Sequence, residues 1–142
     1  MIKYQDLKII AETRLKEAKI LYRNRLYDGA VYLCGYVVET SLKARICKHL
    51  NIPEYLDDGS HKQVFSSHDF DRLLILSGLS NEISLANVRN KKLFTNWSTL
   101  TNWKPESRYT SIGTYSQQDA LNIIKALTNK RWGFLNWIKN IW

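Results

Sequence analysis

The chain has 142 residues, 44% apolar and 24% charged, which suits one domain with a real core. Only 6 Gly and 2 Pro argue against disorder and against a turn-rich all-β fold. The 21 Lys and Arg against 13 Asp and Glu leave +8 with neutral His, which points to an anionic partner: RNA, DNA, a nucleotide or an acidic protein.

A first amphipathic helix is predicted over residues 6–23. Leu7, Ile10, Ala11, Leu15, Ala18 and Leu21 recur three and four apart, and Asp6 is the expected N-cap. A second helix starts at Asp28 or Gly29 and ends near Asn51, before Pro53. Residues 30–38 are apolar all round, the mark of a helix at the centre of a bundle. Gly35, mid-helix at a cost of about 1 kcal/mol relative to Ala, implies close backbone approach by a neighbour. Cys34 and Cys47 lie about 20 Å apart along this helix, too far for a disulfide, and read as thiols of a reducing compartment.

Residues 53–67 form the longest loop, with turn chemistry at Asp57-Asp58-Gly59-Ser60. A short helix runs from Ser67 or Asp69 to Ser77, closed by Gly78. A fourth helix is predicted from Asn81 to Leu100, with Ile83, Leu85, Val88, Leu93, Phe94 and Trp97 on its apolar side. Then comes a polar and aromatic connection, 101–111, where Pro105 and the later Gly113 interrupt helix. The last helix opens on Ser116-Gln117-Gln118-Asp119, which resembles a capping box, and is expected to reach the C-terminus. With no internal repeat or linker, residues 1–142 read as a single domain. The expected fold is all-α: an antiparallel up-and-down four-helix bundle with a short extra helix and no sheet.

The chemistry-bearing residues point to binding. His49, His61 and His68 are scattered and the two Cys share one helix, so no metal site is expected; His61 and His68 read as surface or capping residues. No Gly-rich phosphate loop is present, and no cofactor is expected. No run approaches a membrane span of roughly 18 residues, and the start of the chain lacks an apolar signal core. No membrane association is expected, and the cytoplasm is the expected compartment.

Glu39 and Lys43 stand four apart on the face that Tyr32 and Tyr36 continue. They read either as a cleft wall whose lysine meets a phosphate or as an ion pair that settles helix packing. Trp103, Lys104, Arg108 and Tyr109 fall in the connection. Arg contacts phosphate through its fork, and Trp and Tyr stack on bases. The alternative is that Arg108 caps a helix or pairs with Glu39 while Tyr109 plugs the core. Arg89, Lys91 and Lys92 with Trp97 form another basic-aromatic cluster, read in preference as a solvated helix face. Trp132 and Trp142 read as core or dimer-interface residues.

Asp28 to Ala44 resembles the second helix of HEPN domains (higher eukaryotes and prokaryotes nucleotide-binding), where an Ala- or Tyr-rich run leads into Glu and then Leu-Lys-Ala. His68-Asp69-Phe70-Asp71-Arg72-Leu73 resembles the family's His-Asp-Leu stretch. Arg108-Tyr109 resembles the Arg-Tyr pair before its last helix. Order and spacing agree from Leu21 onward. The resemblance implies a helical bundle, often dimeric. Its members include RNA-cleaving toxins paired with nucleotidyltransferase antitoxins, ribonucleases of phage defence, and non-catalytic binders of RNA or nucleotides. Catalytic members carry Arg, four to six residues, then His near the start of the last long helix. Here every His precedes Arg108, and Arg45 to His49 is too short and lies in the wrong helix.

The expected function is therefore that of a HEPN-like domain binding RNA or a nucleotide, non-catalytic or weakly catalytic, as a homodimer in a bacterial toxin–antitoxin or phage-defence system. One alternative is a metal-independent endoribonuclease in which Arg108 and Tyr115 replace the usual pair, although phenols are poor general bases near neutral pH. Another is an interaction module for a nucleotidyltransferase.

Overall fold

The structure, a computed structural model, describes residues 1–142. A two-residue strand β1 (Ile2–Lys3) precedes the long helices α1 (Tyr4–Arg23) and α2 (Tyr27–Leu50). Strand β2 (Glu54–Tyr55) and the short helices α3 (Lys62–Phe65) and α4 (Phe70–Leu76) follow. The second half holds α5 (Ser80–Arg89), α6 (Lys91–Leu100), a 3₁₀ turn at Pro105–Tyr109, α7 (Gln117–Thr128) and α8 (Phe134–Ile138). The fold class is all-α, and no helix is long and apolar enough to cross a membrane.

The helix that is apolar all round is the central one. α2 packs against α1, α4, α7 and α8, and Val31, Val37, Val38, Leu42 and Ile46 anchor a single continuous core. The C-terminal residues are tied to it: Arg45 donates to the Ile141 carbonyl at 2.9 Å and Lys48 to that of Trp142 at 3.3 Å. Cys34 and Cys47 are both buried and unpaired, and burial pushes the Cys34 thiol up to about 12 and that of Cys47 to about 11. Asp69 caps α4, accepting from the amides of Asp71 and Arg72. The capping box of α7 is complete: Asp119 N donates to Ser116 Oγ at 3.1 Å and Ser116 N to Asp119 Oδ2 at 2.9 Å. Those bonds hold the Asp119 carboxyl below its ordinary value.

Four expectations need correction. A small sheet exists, with Ile2 paired to Tyr55 and Lys3 to Glu54. It forms because Tyr55 is fully buried and donates to the Phe65 carbonyl at 2.6 Å, which draws the 53–67 segment across the start of α1. That pairing makes Lys3 the N-cap of α1, and Asp6 lies in the first turn instead. The fourth predicted helix is broken at Asn90 (φ −150°, ψ 78°), whose side chain caps α6 through the Leu93 amide. Leu85 and Val88, placed on its apolar side, are exposed; Ile83 and Ala86 face inward. The last helix stops at Thr128 and resumes at Phe134. A Cβ on Gly133 would lie 2.5 Å from Asn129 N and 2.6 Å from Leu127 O, so the turn between α7 and α8 closes this tightly only on glycine.

Gly35 receives a side chain rather than a backbone. The indole of Trp103 occupies the space a Cβ would need, with Cε2 only 1.8 Å from that point. An added methyl must unseat the ring. Gly35→Ala is expected to lower stability by about 1–3 kcal/mol despite alanine's better helix propensity, read from the urea midpoint. An unchanged midpoint would show that Trp103 is not seated there.

Candidate functional site

Tyr32, Tyr36, Glu39 and Lys43 share one face of α2, because their spacings of four, three and four return to the same side of a helix. Two segments cover this face: the start of α4 and the 101–115 connection. Trp103 is the buried clasp between them. Its ring lies 5.3 Å from Tyr36, edge to face, and 5.4 Å from Phe70, stacked with only 5° between planes. It is 9% exposed, so it packs within the protein rather than offering an open stacking surface.

Below the clasp, Glu39 is buried and accepts twice. Lys43 Nζ lies 2.8 Å from its Oε1, and His68 Nδ1 lies 2.8 Å from its Oε2. The Lys43 ammonium also sits 5.1 Å from the centre of the Tyr55 ring. Lys43 is thereby committed to the interior. His68 is different: its side chain is 54% exposed while its carboxylate partner is 4% exposed. With Nδ1 donating to Glu39, the imidazole keeps Nε2 as its other polar atom. Sequence reasoning read His68 as a surface or capping residue. Asp69 does the capping, and that frees His68 to reach α2 across 29 positions of sequence.

The connection presents the cations. Arg108 and Tyr109 are exposed on the 3₁₀ turn, and the guanidinium lies 4.8 Å above the Tyr109 ring. It also stands beside the Tyr32 hydroxyl, which is 3.0 Å from that of Tyr36. The Tyr36 hydrogen bond and then Arg108 lower the Tyr32 pKa, while burial pushes Tyr36 up to about 12. Asp28 fixes the far end of the connection, accepting from Gly113 N at 2.7 Å and Tyr115 N at 2.9 Å. No local pattern marks Asp28 for that role, since its partners lie 85 and 87 residues away.

Beside the clasp opens a cleft of about 410 Å³, lined by His68, Phe70, Trp103 and Lys104. Asp69, Asp71 and Glu106 also line it, so this cleft is not a basic pocket. The structure thus brings Glu39 to Lys43 and Arg108 to Tyr109, and sets Trp103 and Lys104 beside the cleft. It does not pair Arg108 with Glu39, and Tyr109 does not plug the core, being 78% exposed. No group of three or more His, Cys, Asp or Glu is arranged to hold a metal ion.

Residues 4–58 match the family model of the HEPN domain. The match covers α1, α2 and β2, and with them Tyr32, Tyr36, Glu39 and Lys43; His68 and the connection lie beyond it. It supports the HEPN resemblance seen in residues 28–44 and, at the level of the family, a nucleotide- or RNA-related role. Neither the curated proteins nor the solved structures supply a match.

Removing one member of a buried pair strands the other. Lys43→Met is therefore expected to destabilise by about 3 kcal/mol, whereas Glu39→Leu with Lys43→Met recovers most of the loss. Urea denaturation of both variants measures it. A single variant within about 0.5 kcal/mol of wild type would show that the pair is solvated.

Proposed function

Because residues 4–58 carry HEPN-domain sequence, we propose that this chain binds RNA or a nucleotide where the 101–115 connection crosses α2. One observation carries the reading: Arg108 is an exposed cation in no ion pair, beside the Tyr32 phenol and with its guanidinium 4.8 Å from the centre of the Tyr109 ring. A guanidinium so oriented offers its fork to a phosphate, and an exposed tyrosine offers a face to a base. Lys104 adds charge nearby. Glu39, Lys43 and His68 brace the face beneath. The setting, a bacterial toxin–antitoxin or phage-defence system with a homodimer or a nucleotidyltransferase partner, rests on the resemblance. Three C-terminal tryptophans give no separate argument for a dimer, since Trp137 and Trp142 are buried in the chain's own core and Trp132 packs against it. Arg108→Ala is expected to weaken binding of a labelled single-stranded RNA about tenfold or more, while Arg23→Ala on exposed α1 changes it little. Equal losses from both, by fluorescence anisotropy, would remove the site.

A second reading, metal-independent RNA cleavage, is favoured by one feature. The sequence places no histidine after Arg108, but the fold brings His68 to the cleft with its ring oriented by a buried carboxylate. Imidazole is the side chain best matched to proton transfer near neutral pH. The binding reading expects purified protein to leave labelled RNA intact in the presence of a chelator. Cleavage that His68→Ala abolishes while binding persists would promote the second reading.

A further inference from the structure

The fold assembles a second groove that the sequence keeps apart. Lys91 and Lys92 open α6, while Lys130 and Trp132 belong to the turn between α7 and α8. Together with Asn96 and Asn129 they line a groove of about 530 Å³ that has no acidic residue among its walls. Arg131 flanks it, its guanidinium 4.7 Å from the centre of the Trp132 ring. None of these four cations takes part in an ion pair. The contrast with the first cleft is sharp, because three carboxylates line that one.

The walls are fixed. Asn96, itself buried, donates to the Trp132 carbonyl at 2.8 Å and ties the turn to α6. Asn136 donates to the carbonyls of Thr128 at 2.9 Å and Asn129 at 3.1 Å and ties it to α8. Arg131 is held in the left-handed region at φ 69°, a conformation a non-glycine residue keeps only when its surroundings impose it. Four unneutralised cations, two at the start of α6 and two on the turn, repel one another, and an anion relieves that repulsion.

We infer that this groove is a second anion site, which takes phosphates of a single-stranded RNA. The assignment of RNA rests on the reading proposed above; the anion chemistry does not. The position supports a strand rather than a lone phosphate. The groove lies at the N-terminal end of α6 and the Arg108 connection follows its C-terminal end. Those 10 residues set the two ends about 15 Å apart. A chain of phosphates can engage both where a mononucleotide cannot.

The test is a salt series of anisotropy titrations with a fluorescein-labelled mixed-sequence single strand of about 20 nucleotides. It compares wild type with Lys92→Ala/Lys130→Ala, with Arg108→Ala and with Lys16→Ala/Arg23→Ala, a control that removes the same charge from α1. Loss of two phosphate contacts should flatten the log–log salt slope by about 1.4, so that the affinity ratio between about 50 and about 200 mM salt shrinks about sevenfold. The α1 control should leave the slope as in wild type. The indole N–H resonance of Trp132, assigned with Trp132→Phe, is followed in parallel during addition of the RNA and of inorganic pyrophosphate. It should shift with RNA, and still shift in the Arg108→Ala protein. An unchanged slope in the groove variant, an equal change in the α1 control, or a Trp132 resonance that ignores RNA would each overturn the proposal. Binding lost in Arg108→Ala but kept in the groove variant overturns the groove alone; the reverse supports the groove and removes the Arg108 site. Wild type that binds no RNA while pyrophosphate shifts Trp132 overturns the assignment of RNA and leaves a pocket for a small phosphorylated molecule.

Discussion

The seat of Trp103 on Gly35 is the contact on which the rest of the site depends. A helix as apolar as α2 can bury every face, and most of its faces are taken by α1, α7 and α8. The remaining strip is covered by a connection with little regular structure, which needs an anchor. Only glycine admits an indole against the helix backbone at that point. The seated ring stacks on Phe70, which sets the start of α4 beside α2, where His68 meets Glu39. Asp28 holds the connection about two turns further back along α2. Between these two anchors the 3₁₀ turn sets Arg108 beside Tyr32 of α2.

The connection keeps polar groups that its packing leaves unmatched within the protein. Two of the three buried polar side-chain atoms without a hydrogen-bond partner, Trp103 Nε1 and Ser107 Oγ, lie within it. Unmet donors and acceptors of this kind are rare in a fold and gather where local rules yield to function. Charge tells the same story at a larger scale. A net +8 gives no indication of where the cations face. The fold lines one concavity with carboxylates and another with lysines, so that attraction for phosphate falls to the groove and to Arg108 rather than to the acidic cleft.

Much of the fold was legible in the sequence. The all-round apolar run marked the central helix, and Ser116 and Asp119 marked the start of α7 in full. Gly35 signalled a close neighbour without naming it. The errors share a cause. Leu85 and Val88 looked like a core stripe, but α5 buries the face that carries Ile83 and Ala86, and apolar residues off that face stay in water. Asn90 and Gly133 broke helices that periodicity ran together, because a cap and a tight turn are single-residue events inside an otherwise helical pattern. For the site, the Glu39–Lys43 pair was visible because helix geometry makes four-residue spacings neighbours. The reach of His68, the Asp28 clamp and the meeting of Lys92 with Lys130 depend on tertiary contacts, for which one sequence gives no local signal.

The Glu39 pair also explains why a polar group sits in the most apolar helix at all. A buried ion pair is weak evidence for stability, since apolar residues of the same volume do as well. Its contribution here is orientation. Lys43 is drawn inward by the carboxylate and by the Tyr55 ring, which leaves the second carboxylate oxygen to a single outside partner. That partner is His68, whose ring is fixed from one side and open on the other. Had Lys43 pointed outward to meet a ligand, Glu39 would lose the charge that accompanies it into the core, and His68 its fixed partner. The buried lysine and the exposed imidazole are therefore two consequences of one carboxylate, and the outward-facing cationic chemistry of this face falls to Arg108 and Lys104.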